Sequence, residues 1–126
     1  MSDDRLLMGI DIGTSGSKGV LVTLEGRVVA EYATPHGFDI PRPGWAEQDA
    51  DMIWWHDFCL ISRSLIEKAA VDPTRIAGVG CSAIAPTMLP LDENFPPLRP
   101  AILYGIDTRA GVEIKELTEE LGESAI

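Results

Sequence analysis

The chain has 126 residues, 45% of them hydrophobic and 24% charged, with a net charge of −10. That length suffices for one domain burying roughly two-thirds of the surface its unfolded chain exposes, and the composition is ordinary for a globular fold. The charge argues against nucleic acid and against an anionic membrane surface, although a few backbone N–H groups and one lysine can still bind a small anion locally.

Met1-Ser2-Asp3-Asp4-Arg5 is acidic and precedes too short an apolar stretch for a signal peptide. No run approaches the ~20 apolar residues of a membrane helix, so a cytoplasmic protein is expected. Leu6 to Ile12 is a short apolar run interrupted by Gly9 and Asp11, and Gly13-Thr14-Ser15-Gly16 then favours a turn. Gly19 to Leu24 is β-branched and apolar, Glu25-Gly26 makes a tight turn, and Arg27 to Thr34 continues as a third strand. Pro35 to Gln48 holds three prolines and two glycines, which predicts an ordered loop.

Asp49 or Asp51 can cap the next helix. Trp54, Phe58, Ile61, Leu65 and Ala69 recur at spacings of four, three, four and four, one apolar helical face, and Asp72-Pro73 ends it. Ile76 to Ser82 is apolar and Gly-rich, the pattern of a central strand covered on both faces. Thr87 to Leu91 and Pro100 to Tyr104 predict two shorter strands around a proline-rich turn. A last helix starts near Asp107–Arg109, with Ala110, Ile114, Leu117 and Leu121 as its stripe and Gly122 as its stop. The order is β-β-β-α-β, then a short hairpin insertion and a C-terminal helix. This predicts a mixed α/β sheet, unlike the βαβ opening of a dinucleotide-binding fold.

The segment richest in chemistry is Gly9-Ile10-Asp11-Ile12-Gly13-Thr14-Ser15-Gly16-Ser17-Lys18. A strand-turn-strand with glycines at 13 and 16 lets backbone N–H groups converge on an anion. Thr14 and Ser15 add hydroxyls, and Lys18 adds a positive charge. Asp11 would repel a phosphate unless Mg²⁺ lay between them, and Mg²⁺ binds through one or two carboxylates plus phosphates. On spacing alone, a plain hairpin with Asp11 capping its turn is the competing reading.

Asp11-Ile12-Gly13-Thr14-Ser15 with Lys18 resembles the first phosphate motif of the FGGY carbohydrate kinases. Three further stretches match in order. Pro43-Gly44-Trp45-Ala46-Glu47-Gln48-Asp49 with Trp54-Trp55 is similar to the family's approach to its first helix. Val71-Asp72-Pro73 to Gly80 resembles the following turn and strand, and Leu98 to Arg109 resembles the strand and loop that reach the sugar. The resemblance covers nearly the whole chain.

It implies the ribonuclease H-like, or actin-like ATPase, fold, with residues 1–126 as an incomplete N-terminal portion of the first kinase domain. It implies ATP and Mg²⁺ as cofactors, faced by Asp11, Gly13, Thr14, Ser15 and Lys18, with Asp11 toward the metal. It also implies that the loop around Ile84-Ala85-Pro86-Thr87 faces the sugar. Xylulokinase-like members carry Gln-Met-His-Gly in that loop, so the apolar residues here argue against xylulose itself. Pro86 and Asp107 are the candidate substrate residues, and Asp107 has capping the next helix as its alternative.

The resemblance implies a phosphoryl transfer from ATP to a hydroxyl of a ketose or polyol. The proton-accepting Asp of the family lies beyond Ile126, so the chain alone is expected to be inactive. The alternative is a non-catalytic module of the same fold that keeps only the phosphate hairpin.

Other residues point to structure. Cys59 and Cys81 lack metal-ligand spacing and predict buried, reduced thiols. His36 and His56 predict structural or solvent-facing roles, Trp54 core packing, and Trp45 an anchor for its loop. An incomplete domain would leave apolar surface and a strand edge open, so homo-oligomers are expected.

Overall fold

A computed structural model describes residues 4–125. Three strands open it: β1 (Leu6–Ile12), β2 (Gly16–Thr23) and β3 (Val28–Pro35), each antiparallel to the one before. On β1 the side chains of Leu6, Met8, Ile10 and Ile12 are buried, while Leu7, Gly9 and Asp11 alternate away from them. This period of two puts the apolar set on one face. Gly26, at φ +84°, makes the β2–β3 turn, a conformation that costs glycine nothing.

A two-residue strand, β4 (Glu47–Gln48), interrupts the loop expected over Pro35 to Gln48. Asp49 then caps the helical segment, accepting from the N–H groups of Asp51 and Met52 at 3.0 and 2.8 Å. The first turn, Ala50–Trp55, is wound as a π-helix, and α1 proper is His56–Ala69. Ala70, left-handed at φ 51°, closes α1 before Asp72 is reached. Ile61 and Leu65 press into the sheet over Gly19, where a Cβ would lie 2.4 Å from Ile61 Cγ2. Burying each of these side chains contributes about 1.5–3 kcal/mol.

The chain crosses over from α1 to β5 (Ile76–Ala83), which pairs parallel with β1, giving the sheet order β3-β2-β1-β5. Here one expectation fails. Among the described residues β5 lies at the sheet edge and is largely exposed, with Val79 at 55%. The reason is that α1 packs chiefly on β1 to β3, and of β5 only Ile76 packs against that core. Cys81 is exposed for the same reason, while Cys59 is partly buried; both are free thiols.

A second sheet, ordered β4-β7-β6, joins β4 to β6 (Thr87–Met88) and β7 (Ala101–Leu103). Both later strands are shorter than their apolar runs, and Leu91 makes only an isolated bridge to Pro97. The last helix, α2, spans Gly111–Leu121 and stops at Gly122. Its apolar stripe of Ile114, Leu117 and Leu121 is exposed. Within residues 4–125 no helix is long and apolar enough to cross a membrane.

Candidate functional site

The β1–β2 hairpin puts Asp11 directly opposite Lys18, and Asp11 opposite Ser82 on the parallel side. Lys18 Nζ lies 3.5 Å from Asp11 Oδ2, and the Ser82 hydroxyl donates to Asp11 Oδ1 at 2.7 Å. Both charged groups are well exposed, so their pairing contributes little to stability and leaves them available to a ligand. The turn between them is tight. Gly13 N–H donates to Gly16 O at 3.0 Å, and a Cβ on Gly13 would stand 2.8 Å from that oxygen. Asp11, Gly13, Thr14, Ser15 and Lys18 together line a concavity of about 520 Å³.

Behind the turn lies a polar cluster buried between hairpin and helix. The Ser17 hydroxyl donates to Asp57 Oδ2 at 2.7 Å. His36 Nδ1 faces the same oxygen at 2.7 Å, and His36 Nε2 faces Gly13 O at 2.9 Å. His56 approaches Asp57 Oδ1 at 3.2 Å from the solvent side. Burial pushes the Asp57 carboxyl up, but the hydrogen bonds from Ser17, His36 and His56 together outweigh it and hold the group below its ordinary value. Gln48, fully buried, donates from Nε2 to Thr14 O at 3.0 Å and to Gly37 O at 3.1 Å. Its Oε1 accepts from Trp54 Nε1–H at 2.9 Å.

A second concavity, about 830 Å³, is lined by Pro86, Thr87, Tyr104, Asp107 and Arg109 among others. Asp107 is engaged on both oxygens. Oδ2 accepts from Ala46 N–H at 2.7 Å and Arg109 Nη2 at 2.6 Å, while Oδ1 accepts from Arg109 N–H at 3.0 Å. The Arg109 hydrogen bonds are the chief reason its carboxyl sits far below the usual range. Arg109 also donates to Glu47 at 2.8 Å and stacks on the Trp45 ring at 3.9 Å, and Arg99 pairs with the same Glu47. Trp45 therefore anchors its loop through a cation. Any further donor reaching Asp107 has to share or displace the Arg109 hydrogen bonds.

The sequence profile of the FGGY family of carbohydrate kinases, N-terminal domain, matches residues 6–126. The chain belongs to the FGGY carbohydrate kinases. A glycerol kinase of Thermococcus onnurineus is 32% identical over 122 residues, 95% of this chain and 24% of that protein. A xylulose kinase of Lactococcus lactis is 29% identical over 93% of this chain. The crystal structure of xylulose kinase from Rhodospirillum rubrum superposes with a TM-score of 0.84 at 32% identity, over 96% of this chain and 24% of that one. The chain thus spans about a quarter of the length of the relatives it matches. These neighbours carry the actin-like, ribonuclease H-like fold, and the mixed sheet seen here agrees with it.

In this FGGY chain the phosphate-motif residues read from sequence meet at one turn, and Pro86 and Asp107 meet at another wall. Sequence reasoning missed Ser82, whose place beside Asp11 depends on strand register alone. It also missed the Ser17–Asp57–His36 cluster. Asp57 did carry a signal, since a carboxylate four residues before Ile61 sits beside an apolar stripe.

Proposed function

We propose that this chain supplies the phosphate hairpin and one wall of the sugar pocket to an ATP-dependent kinase acting on a ketose or polyol. The observation that carries the reading is the placement of Asp11 and Lys18 side by side at the mouth of the Gly13–Gly16 turn. A phosphoryl group with its charge spread over three oxygens is served by positioning and neutralisation. Lys18 supplies a mobile positive charge on one rim, and Thr14 and Ser15 supply donors on the other.

The donor set also fits Mg²⁺. Asp11 is a half-exposed carboxylate oriented by Ser82, and one carboxylate completed by phosphate oxygens and water is a coordination that Mg²⁺ takes. Asp11 would hold the ion, which when bound neutralises phosphate charge. The sugar lies against Pro86 and Asp107 in this reading, with Ile84 and Ala85 making the adjacent stretch apolar.

Asp107 is a poor proton acceptor, because Arg109 holds it ionised and both oxygens already accept hydrogen bonds. The acceptor for the sugar hydroxyl is therefore proposed to lie outside this chain, as is the rest of the first kinase domain, and the chain by itself to lack turnover. Cytoplasmic residence is consistent with its two free thiols. Self-association through the apolar surface of β5 and α2 belongs to the same proposal.

Titration of the chain with Mg·ATP, followed by amide shifts of residues 13–18, tests the site. Binding that weakens about tenfold or more in Asp11→Ala and Lys18→Ala supports it. Shifts elsewhere only, or none, overturn it. A coupled assay showing turnover with glycerol or xylulose would contradict the expected inactivity, and a monodisperse monomer by light scattering would contradict self-association.

A further inference from the structure

The carbonyls of the phosphate turn are all engaged on its inner side. Gly13 O faces His36 Nε2 at 2.9 Å, Thr14 O accepts from Gln48 Nε2 at 3.0 Å, and Ser15 O accepts from the His36 N–H at 3.2 Å. A trans peptide is planar, so its N–H points opposite to its C=O. Tying back Gly13 O and Thr14 O therefore turns the N–H groups of Thr14 and Ser15 outward. Both residues line the concavity beside Asp11 and Lys18.

His36 is the ring in this tie. Its two ring nitrogens each face an acceptor, the Asp57 carboxylate at 2.7 Å and the Gly13 carbonyl at 2.9 Å. Neutral imidazole has one N–H and can satisfy only one of them, whereas imidazolium satisfies both. The side chains of His36 and Asp57 are 8% and 6% exposed, so water offers the ring little substitute. The polar groups around the ring are Ser17 from β2, at 3.4 Å, Asp57 from α1, and the turn carbonyl, while His56 touches the far oxygen of Asp57.

We propose that His36, as an imidazolium anchored on Asp57, is a positioning residue that holds the Gly13–Thr14 peptide with its N–H toward the bound phosphate. The proposal rests on the phosphate-site reading above. When the second ring proton is lost, the one that remains stays on Nδ1 against the charged Asp57 carboxylate. The Gly13 carbonyl is thereby released, and the peptide between residues 13 and 14 is no longer held by the ring. Phosphate binding is consequently tied to a histidine that does not touch the ligand.

The test follows the His36 ring nitrogens by NMR in the 126-residue chain from about pH 6 to about pH 9, alongside the amides of Gly13, Thr14 and Ser15 and the affinity for Mg·ATP. The turn amides are expected to titrate with the midpoint of the ring, and affinity to fall about fivefold as the ring loses its proton. Asp57→Asn lets a neutral ring keep its hydrogen bond to Gly13, so it should flatten that dependence; this comparison also removes the contribution of ATP's own ionisation. Mg·ATP shifts that stay constant while His36 titrates would overturn the positioning role and leave the phosphate site standing. Turn amides that titrate with His36 but never respond to Mg·ATP would overturn the phosphate-site reading instead. A ring that carries one proton throughout this range would overturn the imidazolium tie directly.

Discussion

The two halves of this chain are held together by different means. In β1–β3 and α1, apolar side chains such as Leu6, Leu21, Ile61 and Leu65 are sealed between sheet and helix. In the part from β6 to α2, the buried apolar residues are few, chiefly Ala101 and Leu103, while Ile114, Leu117 and Leu121 face solvent. Besides the short β4–β7 pairing, what joins this second part to the first is a charged cluster around Trp45: Glu47, Arg99, Asp107 and Arg109. An apolar core tolerates imperfect geometry because burial has no direction. A charged junction does not, because removing one partner leaves the other desolvated and unpaired.

Arg109→Ala should have the largest effect, about 3–5 kcal/mol at the junction, because it takes the main donor from buried Asp107 and leaves Glu47 with Arg99 alone. Hydrogen exchange should speed up at Ala46 and Leu103, whose amides bond across that seam, while the β1–β2 ladder keeps its protection. Equal acceleration in both halves would show that they are one cooperative unit. Leu65→Ala should cost about 2–5 kcal/mol in a denaturant titration and weaken the first half, with little change in the Arg109 cluster.

Acid offers a graded way to separate the halves. Asp57 and Asp107 both have carboxyls held below the ordinary 3.8, so the stability they confer is fully present above that value. It is lost as pH falls through their lower folded values. Asp107, shifted further, should hold the junction to a lower pH than Asp57 holds the base of the turn. Near-ultraviolet circular dichroism of the tryptophans, followed below pH 4, checks that order. The smallest effect is expected for Leu117→Lys, within about 0.5 kcal/mol, because a leucine already 49% exposed has little burial to lose. A larger loss would mean that the stripe on α2 is covered in solution, and would support self-association.

Most of the first half was legible in the residues. Alternation on β1 and the four-three-four spacing of Trp54, Phe58, Ile61 and Leu65 are local patterns, and the burial they predict follows from backbone geometry. The π-wound turn before α1 and the short strand Glu47–Gln48 were not legible. Neither leaves a periodic trace, and Glu47–Gln48 becomes a strand only because Ala101–Ile102 lies alongside. Ile76–Ser82 misled for a related reason. Its composition describes a covered strand, but composition cannot say which helices are present to cover it.

By itself the sequence determined the family and the order of the main elements, and it named the groups proposed to meet a phosphate, since all three rest on residue types and short spacings. The tertiary structure alone decided which distant side chains are brought beside them. Ser82 reaches Asp11 through a parallel register 71 residues apart, and His36 reaches Gly13 and Asp57 through the packing of a loop under a hairpin. Such contacts depend on how distant segments dock, and the direction in which a peptide N–H finally points is fixed only when its carbonyl has found a partner.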